Sequence, residues 1–166
     1  MPAPPPLPSL EALRRFGGHF QLIGRAWRRE ADLCLAPLGL TQATAAPLLL
    51  LRARVGAPCR QHELAQALGI EQPSLVRLLD QLGEAGLVER LADPADRRAR
   101  LMHLTPAGVT AAGEADRRLG ALRLRLLGGA APQDLAAALR VLDGMRVALG
   151  GMAASAGPGS APEGRD

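Results

Sequence analysis

The sequence predicts a mainly α-helical chain carrying one short β-hairpin, and three observations lead there. Leu and Ala dominate a hydrophobic fraction of 48%, while only Phe16, Phe20 and Trp27 are aromatic, a balance that favours helices over a sheet sandwich. Leucines recur at helical spacing in several segments, most of them opened by Ser, Thr or Pro and closed by Gly, the residues that start and stop helices. One stretch departs from this pattern: LVERLA and ARLMHLT are mixed β-formers around the polar loop DPADRR, which opens with Asp-Pro and marks a hairpin.

With 166 residues, the chain fits one domain with one core. We assign that domain to 9–150, between a proline-rich disordered arm at 1–8 and a low-complexity, disordered tail at 151–166. The first helix is expected from Ser9, its N-cap, to about Ala36, where Pro37 and Gly39 end it. Its apolar stripe runs Leu13, Phe16, Phe20, Ile23, Trp27, interrupted by Arg14, Arg15, Arg25, Arg28 and Arg29. That length and aromatic content suggest burial against a second subunit. Thr41 should cap a buried helix from Gln42 to about Arg54, with Pro47 inside it and Leu48 to Leu51 too apolar to be exposed.

After Gly56 and Pro58, a short helix is expected from Gln61 to Leu68, buried through Leu64, Ala65 and Leu68 and stopped by Gly69 in the left-handed region. The turn 69–72 leads to a helix beginning at Pro73, where the missing N–H costs nothing. This helix buries Leu75, Leu78, Leu79 and Leu82 and ends at Gly86. Two short helices about a small turn, followed by a hairpin, make a winged helix-turn-helix core over 41–105. Thr105-Pro106 caps and opens a helix to about Leu127 with Leu119, Leu122 and Leu126 on one face, and Gly128-Gly129 breaks it. Pro132 opens the last helix, with Leu135, Leu139, Leu142, Met145 and Leu149 as its stripe. The helices at 9–37 and 106–150 are therefore read as dimerisation helices flanking the winged core.

The chemistry follows from what the Pro73 helix leaves outside. Opposite its leucines lie Ser74, Arg77 and Gln81, with Gln72 and Pro73 at the entry to the helix as further candidate contacts. Small polar groups with one arginine suit the DNA major groove, where a guanidinium fork can bind guanine. The competing account of Arg77 is a surface ion pair with Asp80 or Glu84, which would contribute little. From Arg90 to Arg100 there are four arginines against two aspartates, a local basic patch on the hairpin that would suit a minor groove. All 20 basic residues are Arg and the net charge is +4, which makes a polyanion a reasonable partner.

Other function classes find less support. No glycine-rich phosphate loop, HExxH or nucleophile motif occurs, so the chain does not read as an enzyme and implies no cofactor. Cys59 and His62 form a C-x-x-H pair beside Arg60; two ligands make no metal site, so a structural or incidental role is the first reading, and the alternative is a redox-responsive regulator whose thiol pKa this setting lowers. The remaining alternative is a winged-helix protein-interaction module without specific DNA binding. Two cysteines, no leader-like segment and no run of membrane-spanning length point to the cytoplasm.

With these residues in view, the chain resembles the MarR family of bacterial winged helix-turn-helix regulators, in particular its SlyA-like branch. The likeness is carried by LAQALGIEQPSLVRLLDQL, GLVER, the DRR of the wing and LTPAG, and more weakly by AWRREAD and LAPLGLTQ. It implies a homodimer bound to a pseudo-palindromic double-stranded DNA operator, more often as a repressor, with Pro73, Ser74 and Arg77 in the major groove. In the wing it implies that Asp96 holds Arg97 and that Arg98 enters the minor groove. It further implies release by a small aromatic carboxylate, held where the dimerisation helices meet the winged core by a buried arginine; Arg25, Trp27 and Arg28 are the candidates. Ala45 departs from the pattern, standing where such relatives tend to carry a large aromatic residue.

Overall fold

The computed structural model describes residues 7–54, 59–93 and 100–155. Its elements are α1 (Leu10–Leu35), a 3-10 turn (Ala36–Leu38), α2 (Gln42–Ala53), α3 (Gln61–Leu68), α4 (Gln72–Glu84), β1 (Val88–Ala92), β2 (Arg100–Leu104), α5 (Pro106–Leu127) and α6 (Pro132–Ser155). The fold is the mainly helical winged helix-turn-helix expected from the sequence. It divides into two compact units, one up to Arg125 and one from Leu126. Among the described residues no single helix is long and apolar enough to cross a membrane.

Helix boundaries follow local chemistry. Ser9 accepts the Ala12 N–H at 3.2 Å and starts α1. Thr41 and Thr44 form a reciprocal capping box on α2, and the Asp32 carboxylate accepts the Gln42 N–H at 2.6 Å, placing negative charge where the helix dipole favours it. Gly69 (φ 65°) closes α3, its own N–H reaching the Gln66 carbonyl and that of Ile70 reaching Ala65. Gly86 (φ 66°) closes α4 in the same way, with Leu87 N–H on the Leu82 carbonyl.

The strands pair antiparallel with Val88 opposite Leu104 and Arg90 opposite Met102. A third backbone segment joins them: Arg60 bridges Leu101, and the Met102 N–H donates to the Cys59 carbonyl at 2.9 Å. Sequence pattern missed this edge, because a single bridged residue has no alternation to read.

One core serves the unit up to Arg125. It joins Ala31 and Leu35 of α1, Leu48 and Leu51 of α2, Leu64 of α3, and Leu75, Leu79 and Leu82 of α4 to Val88, Met102 and the α5 residues Ala112, Ala115, Leu119 and Leu122. Each buried leucine contributes about 1.5–3 kcal/mol of transfer free energy. Leu78 and Leu68, expected inside, are half-buried. Leu119 and Leu122, read from the sequence as part of a dimer stripe, face this chain's own core, while Leu126 is exposed.

The first half of α1 contributes nothing to that core. Leu10, Leu13, Phe16, Phe20 and Ile23 are all exposed, and the Phe16 and Phe20 rings stack on each other at 6.4 Å. On α6, Leu135, Leu139, Leu142 and Leu149 are likewise exposed. This helix runs to Ser155, past the tail boundary placed after residue 150, because Met and Ala following Gly151 are good helix formers. The arm at 1–6 and the tail from 156 lie outside the described residues.

Candidate nucleic-acid interface

Helix α4 divides as its sequence dictates. Leu75, Leu79 and Leu82 are buried, whereas Gln72, Pro73, Ser74, Arg77 and Gln81 are exposed. Arg77 lies on the side facing away from the core. Among the described residues it makes no ion pair or side-chain hydrogen bond, so the ion pair with Asp80 or Glu84 that competed as its explanation is not formed. Asp80 is engaged elsewhere: its Oδ1 accepts Arg90 Nη2 from β1 at 2.6 Å.

The turn that leads out of the hairpin is anchored to the end of α4. Thr105 donates its hydroxyl to the Gly86 carbonyl at 2.7 Å, its N–H to the Leu87 carbonyl at 3.1 Å, and accepts the Gly108 N–H at 3.0 Å as the cap of α5. Gly108 is packed against Leu87, and a Cβ there would overlap the Leu87 carbonyl. The LTPAG run is thus a structural knot that fixes β2 and α5 to the last turn of α4.

Of the wing residues named from the sequence, Asp96, Arg97 and Arg98 lie outside the described residues. What the structure adds is the base of the wing. Asp93, at the end of β1, is 7% exposed, and its Oδ2 accepts Arg60 Nε at 3.0 Å and Nη2 at 2.6 Å. A carboxylate removed from water needs such charge-assisted bonds to stay ionised. Sequence reasoning used Asp93 only as a turn signal and Arg60 only as a neighbour of Cys59. The one available hint was an Asp beside a proline in an arginine-rich loop, and nothing in it named the partner.

Cys59 sits where the structural reading has it, in the core. Its side chain is fully buried, and burial pushes the thiol up, outweighing the lowering influence of Arg54, whose Nη1 lies 3.4 Å from Sγ. Arg60, expected to activate the thiol, turns to Asp93 and accepts the Cys59 S–H only through its carbonyl, at 3.7 Å. A buried, protonated thiol is a poor peroxide target, so the redox alternative loses its premise. His62 is exposed, and among the described residues no group of three or more His, Cys, Asp or Glu side chains is placed to hold a metal ion.

The three ligand candidates separate. Arg25 and Arg28 line an open depression of about 590 Å³ with Arg29, Asp32, Leu33, Ala36, Leu40 and Thr41. Trp27 is absent from that lining and packs, half-buried, on the core. Neither Arg25 nor Arg28 is buried in the single chain, where an enclosed guanidinium was expected; the depression is bounded only by α1, the 3-10 turn and the residues leading into α2.

The model of the MarR family matches residues 38–99, which span α2 to the wing. Among solved structures, the transcriptional regulator PA3341 is 39% identical, with 82% of this chain and 98% of that chain covered at a TM-score of 0.72. A mutant of MarR from E. coli complexed with operator DNA is 26% identical over 83% of this chain and 99% of its own, also with a TM-score of 0.72. AbsC, a MarR family transcriptional regulator from Streptomyces coelicolor, shares the fold at 23% identity and a TM-score of 0.77, over 89% of this chain and 99% of that one.

Proposed function

This chain belongs to the MarR family of transcriptional regulators, and from that membership we propose that it acts as a homodimeric repressor of a pseudo-palindromic operator, using α4 in the major groove. The observation that carries the proposal is the exposed face of α4, where Arg77 is left without an ion-pair partner among the described residues while the leucines behind it are buried. Gln72, Pro73, Ser74 and Gln81 flank it as polar or backbone-approach contacts, and in the hairpin loop Arg98 is assigned to the adjacent minor groove, with Asp96 assigned to hold Arg97. A MarR mutant of the same fold has been solved with operator DNA, which supports the same docking here.

Homodimerisation is supported by the exposed apolar residues of α1 and of α6, each a face that a lone chain would leave in water. Residues 9–150 then work as one dimerising domain, and two α4 helices must stand one DNA turn apart, roughly 34 Å, to read one site. A small aromatic carboxylate in the depression lined by Arg25 and Arg28 would release DNA by altering that separation.

Fluorescence-anisotropy titrations with a promoter fragment against bulk DNA test the reading. Arg77→Ala is expected to cost roughly 1–3 kcal/mol and to relax sequence preference, as for a base contact. Arg98→Ala should flatten the dependence of log affinity on log salt by about one unit. Equal affinity for promoter and bulk DNA would instead favour a protein-interaction module.

A further inference from the structure

We propose that Arg90 is a positioning residue for DNA recognition: by occupying Asp80 it keeps Arg77 unpaired on the outer face of α4. The proposal rests on the reading that Arg77 contacts DNA. Arg77 and Asp80 are three residues apart on one helix, a spacing at which opposite charges meet. With Asp80 free the two are within reach of each other, and an arginine folded back onto a carboxylate has lost donors for a base. The structure has the carboxylate otherwise engaged. Asp80 Oδ1 takes Arg90 Nη2 at 2.6 Å, and Arg77 makes no ion pair among the described residues.

The competition is biased by the sheet. Arg90 stands opposite Met102 in the β-ladder, and Met102 is buried in the core, so the register brings Arg90 to the flank of α4. A pair between two residues of one exposed helix has no such support.

The test is a double-mutant cycle on affinity for a duplex selected in vitro with the wild-type protein, each variant being checked for its fold by circular dichroism. Arg90→Ala is expected to weaken binding about two- to fivefold, the scale of a surface ion pair, and Arg90→Lys to bind as the wild type does. The loss should vanish when Asp80→Asn or Arg77→Ala is already present, and the salt dependence should keep its slope. The proposal is overturned if Arg90→Ala has no effect, or if it weakens binding equally in all three backgrounds with a slope flattened by about one unit, which would make Arg90 a phosphate contact. If Arg77→Ala alone leaves affinity unchanged, the underlying assignment of Arg77 fails, and this one with it. A substantial Arg77→Ala loss with no coupling to Arg90 removes the positioning role alone. If the alanine variant does not fold, Arg90→Gln takes its place, with the same loss expected and the same outcomes overturning the proposal.

Discussion

Gly108 on α5 and Leu87 at the end of the α4 turn touch backbone to backbone, with no room for a Cβ between them. The contact sits under three hydrogen bonds of Thr105, to Gly86, Leu87 and Gly108, so the helix cannot move away to make space without breaking its own cap. Gly108→Ala is therefore expected to destabilise the protein by about 1–3 kcal/mol despite alanine's higher helix propensity, the usual cost of overpacking. Urea denaturation checks this, with exposed Val109→Ala as a control expected within about 0.5 kcal/mol of wild type.

The pair Arg60 and Asp93 holds the hairpin to the start of α3. Asp93→Ala removes a nearly buried carboxylate that receives two guanidinium bonds, each worth about 1.5–3 kcal/mol when the partner is charged. Since Arg60 is 38% exposed and can regain water, a net loss of about 1–3 kcal/mol is expected by denaturant titration. Asp93→Asn, which keeps the shape and one acceptor, should lose less.

Native Cys59 should resist thiol reagents and mild peroxide, becoming reactive only as urea unfolds the chain. Its raised pKa also has a sign for stability. The folded thiol holds its proton more tightly than the unfolded one, so its contribution is complete below the ordinary value of 9.0 and declines as pH rises past it. Fast alkylation of the folded protein near neutral pH would contradict the buried position.

Glu114 tests the opposite sign. Hydrogen bonds from Arg117 and Arg118 hold its carboxyl near 2, below the usual 4.5, so the stability it lends is present above the ordinary carboxylate range and lost as pH falls from there toward about 2. A carbon-detected NMR titration should place its midpoint near 2, and Arg117→Ala should move it up toward 4.5.

What could be read in advance was what neighbours in sequence decide. Ser9, Thr41, Gly69, Gly86 and Thr105 act within three or four residues, and each occurs where its chemistry requires. The leucine stripe of α4 set its outer face, and so Arg77. The sequence could not reveal that Arg60 turns to a carboxylate 33 residues away and not to the adjacent cysteine, which removes the basis of the redox alternative for Cys59. Nor did spacing distinguish Leu119 and Leu122, which face the chain's own core, from Leu126, which does not. A helical stripe records that a face is apolar and is silent on what covers it.

The exposed stripe of α1 bears on the dose response of the gene that the protein controls. If two chains must meet to cover Leu13, Phe16, Phe20 and Ile23, the concentration of the reading form rises with the square of chain number whenever chains are scarce, and only linearly once they are abundant. Operator occupancy then switches more steeply at low copy number than a monomer would allow. A modest fall in synthesis would empty the site without any effector being present.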